Sequence, residues 1–157
     1  MAEHYIKPRF DYRALAPEAV QAMLALERYL AQCSLDHTFI HLLKLRASQI
    51  NGCAFCIDMH AADARAGGET EQRLYALSAW RETPFFTPRE RAGLAWIESV
   101  TLLAETHIPD GVYVETQQHF STQEIVDLTF VASTINAWNR IAVAARALPR
   151  SAAAVAR

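Results

Sequence analysis

Two cysteines and one histidine lie close together in the stretch NGCAFCIDMH, residues 51–60: Cys53, Cys56 and His60. Thiolates and imidazoles are the ligands from which proteins build zinc sites, and they also carry out thiol–disulfide chemistry. Three interpretations are therefore open: a metal clip, a redox pair, or three core residues.

Helical spacing places the three side chains on one face, because Cys53 and Cys56 are related by i,i+3 and Cys56 and His60 by i,i+4. Gly52 is typical of a helix end, so both cysteines are predicted to lie in the first turn of the next helix. Free backbone N–H groups and the positive end of the helix dipole should lower the pKa of both thiols there. His60 can exchange a proton with Cys56. The spacing thus supplies a thiolate nucleophile, a second sulfur to resolve it and a proton-transfer group.

The zinc interpretation is short of ligands. The pattern C-x2-C-x3-H offers three, whereas structural zinc takes four, and the sequence has no second Cys/His pair with zinc-finger spacing. His41 could be recruited, but we predict neither a metal nor a bound cofactor. Two buried core cysteines remain the plain alternative. The third cysteine, Cys33, completes an apolar helical stripe and is predicted to be inert.

Composition narrows the class of protein. The chain has 157 residues, 52% hydrophobic and 20% charged, with a formal net charge of −2. This favours a single domain over residues 1–157 and gives no electrostatic case for binding nucleic acid or an anionic membrane. No apolar run approaches the ~18 residues that a membrane-spanning helix needs. An odd number of cysteines and the lack of an apolar signal core predict a reducing, cytoplasmic location.

The periodicity is helical nearly throughout and predicts an all-α fold of six or seven helices. The predicted helices cover about 16–33, 37–51, 53–66, 70–80, 88–103, 110–119 and 122–148. Thr87 with Glu90 and Ser121 with Glu124 form capping boxes. The last helix is apolar on nearly all sides, so it should be central or lie in a subunit interface.

Polar residues on two of these helices are predicted to have structural rather than catalytic roles. Lys44 and Arg46 are typical of a solvated face. Asn136, Asn139 and Arg140 are unusual in so apolar a helix, and because buried polar groups need partners, we expect them to fix a neighbouring loop or subunit.

The run LLKLRASQINGCAFCIDMHAADARAGGETEQRLYAL, residues 42–77, resembles the core of the alkylhydroperoxidase D-like group of the carboxymuconolactone decarboxylase family. The segments TPRERA, 87–92, and NAWNR, 136–140, are also similar to members of this group. The resemblance spans about residues 20–145. It implies an all-helical, compact fold and a homo-oligomer, usually a trimer or hexamer.

The resemblance also implies roles. Cys56 would be the peroxidatic cysteine, Cys53 the resolving one, and His60 part of a proton relay. Redox members commonly carry a glutamate about three turns before the first cysteine; His41 stands there, and it can relay protons but brings no fixed negative charge. Phe55 occupies a position where some members have histidine, so the pocket should be more apolar.

We therefore expect a thiol-dependent hydroperoxide reductase with Cys56, Cys53, His60 and His41 as catalytic residues. A thioredoxin-like or lipoyl dithiol partner would re-reduce it. Two alternatives stay open: an oligomeric binding or stress-related protein that keeps the fold with a weak redox site, and a lactone decarboxylase. The decarboxylase branch of the family lacks the cysteine pair, so the cysteines favour the redox branch.

Overall fold

The computed structural model describes residues 7–150, and within them the chain is helical and has no strand. This part of the chain forms nine α-helices and one 3-10 helix, Leu77–Glu82, which follows α5. The α-helices are α1 Tyr12–Leu15, α2 Pro17–Leu30, α3 His37–Asn51, α4 Ala54–Ala66, α5 Glu71–Ala76, α6 Pro88–Thr101, α7 Leu103–Thr106, α8 Asp110–Gln117 and α9 Thr122–Ala145. The predicted all-α class is confirmed. Seven helices match predicted ones, and the four-residue α1 and α7 are additional.

Local sequence signals set the helix ends near the cysteines. The Asp36 carboxylate accepts a hydrogen bond from Phe39 N at 2.9 Å and begins α3. Gly52 ends α3 in the left-handed region, with φ 66°, where a side chain would be strained. Both predicted capping boxes form, at Thr87 and Ser121. Helices α2 and α9 each end about three residues earlier than predicted, and α5 ends four residues earlier, at Ala76, after which the 3-10 helix begins.

Helix α9 lies at the centre of the helical packing, in contact with α2, α3, α4, α6 and α8. Its inner residues Leu128 and Ile135 are fully buried, as are Leu42 of α3 and Leu94 of α6. The predicted central position of this helix is thus confirmed. Because α3 packs against both α4 and α9, the start of α4 is enclosed by these helices.

Two statements remain predictions: that residues 1–157 form one domain, and that the chain forms an oligomer. Among residues 7–150, no helix has the combination of length and apolar character that crossing a bilayer requires.

Candidate active site

The two cysteines lie at the start of α4 as free thiols. Cys53 is the residue before the first helical residue, one position earlier than predicted, and its Sγ accepts a hydrogen bond from Cys56 N at 3.4 Å. The two sulfurs are 2.6 Å apart, and each residue is only 1% exposed. Disulfide formation between them therefore needs little movement of the backbone.

The two thiols differ in pKa. A hydrogen bond from the Cys56 thiol lowers the pKa of Cys53 to about 7, and the backbone N–H of Cys56 adds to this effect. The hydrogen bond to Cys53 and then burial raise the pKa of Cys56. The prediction of a lowered pKa thus holds for Cys53 and is wrong for Cys56, because a helix start cannot favour two thiolates in contact.

The two histidines face each other beside the cysteines. His41 Nδ1 and His60 Nδ1 are 3.2 Å apart, so one ring donates and the other accepts. Burial, followed by the nearby Lys44 charge, lowers the pKa of His60 to about 3. Burial is also the main cause of the lowered pKa of His41. Both imidazoles are therefore neutral near pH 7.

A cavity of about 320 Å³ connects these groups. Its lining includes aromatic and apolar side chains, the two histidines, and ionic groups: Tyr12, Arg13, Leu24, Glu27, His41, Lys44, Phe55, Cys56, Met59, His60, Asp63, Trp138, Ala142 and Arg150. Cys53 is not among the lining residues, so Cys56 is the sulfur that a bound molecule reaches. Phe55 makes the wall more apolar, as its position in the motif suggested.

Lys44 and Glu27 are site residues that sequence reasoning missed. Lys44 is not on a solvated face: it is 4% exposed, its ammonium binds the Glu27 carboxylate, and both line the cavity. Trp138 Nε1 donates to the other oxygen of Glu27 at 3.0 Å. A carboxylate thus reaches the site from α2. Arg46 instead turns to Glu98, with which it forms an ion pair at 2.7 Å.

Asn139 is a third missed residue. It is 1% exposed, its Nδ2 donates to Ser48 Oγ at 3.0 Å, and its Oδ1 accepts from Asn51 Nδ2 at 2.8 Å. Its amide also lowers the pKa of both cysteine thiols. Asn136 accepts from the same Asn51 amide at 3.0 Å. These asparagines therefore fix the C-terminal end of α3, just before the cysteines, rather than the loop or subunit that was expected.

One group of side chains in the described residues has the spacing to share a metal ion: His41, His60 and Asp63, whose ligand atoms lie within 4.8 Å of one another. It contains neither cysteine, so it is not the Cys–Cys–His clip considered from the sequence. The Nδ1 atoms of the two histidines are already joined to each other.

Comparison with known proteins agrees with this architecture. The sequence pattern of the carboxymuconolactone decarboxylase family matches residues 17–99, more than half of the chain. The chain belongs to this family. An uncharacterised protein from Bacillus subtilis, YdfG, is 46% identical over 136 residues, 87% of this chain and 92% of its own.

Solved structures place the chain among the alkylhydroperoxidase D-like members of the family. ATU0492 of Agrobacterium tumefaciens, a protein of unknown function proposed to be the antioxidant defence protein AhpD, aligns with a TM-score of 0.89 and 49% identity, over 91% of this chain and 98% of its own. An uncharacterised peroxidase-related protein from Silicibacter sp. TM1040 aligns with a TM-score of 0.78 and 25% identity, over 88% of this chain and 73% of its own. In this AhpD-like chain, the family match contains both cysteines, both histidines, Lys44 and Glu27, whereas Trp138 and Asn139 lie beyond it.

Proposed function

We propose that this protein reduces organic hydroperoxides with the Cys53–Cys56 pair and that a dithiol partner restores the pair. One observation carries the proposal: the two sulfurs are 2.6 Å apart, and Cys56 borders a cavity that also presents His41 and His60. The antioxidant role proposed for ATU0492 agrees with this function.

In the proposed reaction, Cys56 attacks because it borders the cavity, and Cys53 resolves because it lies behind it. The sulfur of Cys56 bonds to the terminal oxygen as the O–O bond breaks, so the cysteine becomes a sulfenic acid and the peroxide is reduced to an alcohol. Cys53, as the thiolate, takes the proton of the Cys56 thiol, and the leaving alkoxide takes a separate proton to become the alcohol. Cys53 then displaces the sulfenic oxygen as water and closes the disulfide.

The histidines supply a route for protons in this mechanism. A neutral imidazole can accept a proton at one nitrogen and release one at the other, so His60 and His41 in series form a short relay. The His41 side chain is 32% exposed, which gives the relay contact with water. A carboxylate also borders the cavity from α2, that of Glu27, where it is paired with Lys44.

Access to the pair bears on the reductant. Both cysteines are 1% exposed, so a slender dithiol such as a lipoyl group fits the site better than a broad protein surface, although a thioredoxin-like protein remains the second choice. Such dithiols stay reduced in the cytoplasm, where we propose that the protein acts. Exposed apolar side chains on α9, Val126, Phe130 and Val143, agree with a homo-oligomer, a trimer or hexamer, which light scattering would measure.

A limiting-peroxide titration tests the function. Cumene hydroperoxide added to reduced protein in substoichiometric amounts should consume two thiols per peroxide, with a transient sulfenic acid trapped by dimedone. Cys56→Ser should abolish the reaction, and Cys53→Ser should accumulate the sulfenic acid. Cys33→Ser is the matched control, since Cys33 is a free, half-buried thiol outside the cavity, and it should react like the parent. A Cys56→Ser protein that still consumed peroxide would show that Cys56 is not the attacking residue.

The same preparations separate the alternatives. A binding protein with a weak redox site would react with peroxide no faster than an ordinary exposed thiol. A lactone decarboxylase would keep its decarboxylase activity in the Cys53→Ala, Cys56→Ala double variant.

A further inference from the structure

Lys44 has hydrogen-bonding capacity that its contacts do not use. An ammonium has three N–H donors. Among residues 7–150, the Nζ of Lys44 makes a hydrogen bond or ion pair only with Glu27. Lys44 is 4% exposed and borders the cavity with Cys56, so its remaining donors are available to a molecule bound there.

Glu27 is fully engaged in holding this ammonium. One carboxylate oxygen binds Lys44, and the other accepts from Trp138 Nε1 at 3.0 Å. Three helices, α2, α3 and α9, thus fix the direction of the Lys44 side chain. A charge held by such contacts needs little reorganisation when a partner arrives.

Cleavage of a hydroperoxide creates a need for such a group. As the O–O bond breaks, an electron pair leaves on the alkyl-bearing oxygen, and a strongly basic alkoxide forms unless a proton is supplied. The imidazoles are neutral, since burial holds the pKa of His60 at about 3. Arg13 and Arg150 also border the cavity, but both are exposed, and a guanidinium does not release its proton.

We propose that Lys44 is a catalytic residue of hydroperoxide reduction: its ammonium donates a proton to the leaving oxygen as Cys56 attacks, and Glu27 is the positioning residue. The step balances. Cys56 forms an S–O bond and is oxidised to the sulfenic acid, the O–O bond breaks, and the alkoxide takes a proton from Lys44 to become the alcohol. The lysine amine regains its proton from water. This inference rests on the proposed function.

The leaving group provides the test. A peroxy acid releases a carboxylate, which is a weak base and needs no proton, whereas cumene hydroperoxide releases a basic alkoxide. Lys44→Met should slow the first turnover with cumene hydroperoxide by about 10²- to 10⁴-fold, the usual contribution of a general acid. With peracetic acid, the same variant should stay within a few-fold of the parent.

Three further variants complete the design. Lys44→Arg keeps the charge but not the releasable proton, so it should show the same selective loss even if Lys44→Met fails to fold. Glu27→Gln should show a smaller selective loss. Arg46→Met removes another half-buried cation of α3 and should leave the ratio of the two rates unchanged.

The outcomes separate the two proposals. A parent protein that reduced neither substrate would refute the function itself. A parent that reduced both, with Lys44→Arg or Lys44→Met slowing both equally or neither, would overturn the role of Lys44 and leave the function intact.

Discussion

Replacing Asn139 with leucine should raise the pKa of the first ionisation of the cysteine pair. The side-chain amide of Asn139 lowers the pKa of both thiols and is fully buried, and leucine has a similar volume but no donor. A hydrogen bond to a charged group contributes about 1.5–3 kcal/mol, and one pKa unit corresponds to about 1.4 kcal/mol. The pKa of Cys53, about 7 in the parent, should therefore rise by about one to two units.

Ultraviolet absorbance of the thiolate against pH, in a Cys33→Ser background, measures this ionisation whether or not a reagent can enter the site. At pH 7 the thiolate population should fall about 5- to 50-fold. Asn136→Leu is the matched control: it breaks the adjoining hydrogen bonds to Asn51 and Thr101 and should destabilise the fold, but Asn136 is not among the groups that shift either thiol. An unchanged midpoint in Asn139→Leu, or an equal rise in Asn136→Leu, would refute the reasoning.

Two further predictions concern stability. The pKa of His60 is about 3 in the fold and about 6.5 in the unfolded chain, so the unfolded state binds more protons between these values. The free energy of unfolding measured with urea should therefore fall by on the order of 2–3 kcal/mol from about pH 6 to pH 4. His60→Gln should flatten this loss, whereas the control His37→Gln, at an exposed histidine, should not. Gly52→Ala should lower the free energy of unfolding by about 1–2 kcal/mol, because the φ of Gly52 is positive. Gly111→Ala, in α8 with open space where its Cβ would lie, should raise it by about 0.5–1 kcal/mol. Equal changes in the two variants would contradict the backbone argument.

Local signals in the sequence were sufficient for the helices and for part of the site. Capping boxes, a glycine at a helix end and 3.6-residue periodicity depend on near neighbours in the chain, and they predicted seven helices to within about four residues. Cys53, Cys56 and His60 lie within the first two turns of one helix, so spacing alone related them. The two unpredicted helices have only four residues each, too few for a periodic pattern.

The remaining site residues come from other helices, and no local pattern brings them in. Glu27 lies on α2, 17 residues before Lys44, and Asn139 lies on α9, 91 residues after Ser48. Lys44 is one turn after His41 on α3, so a helical wheel on which His41 faces the cysteines would have directed it to the site. Its interpretation as a solvated residue followed from residue type, because lysine is rarely buried without a partner and the partner is remote in sequence.

The separation of charge from accessibility within the pair changes how the helix start should be understood. The backbone N–H that would stabilise a thiolate reaches Cys53, behind the cavity, while Cys56 borders it. In the resting pair, the reachable sulfur therefore carries the proton, and attack requires that this proton move to the Cys53 sulfur, 2.6 Å from that of Cys56. Such a transfer is short and lies within one coupled pair, so the two cysteines ionise as a unit. The transfer also leaves Cys53 protonated, so Cys53 does not compete with Cys56 for the peroxide. In the resolving step, the proton of Cys53 then leaves with the sulfenic oxygen as water rather than hydroxide.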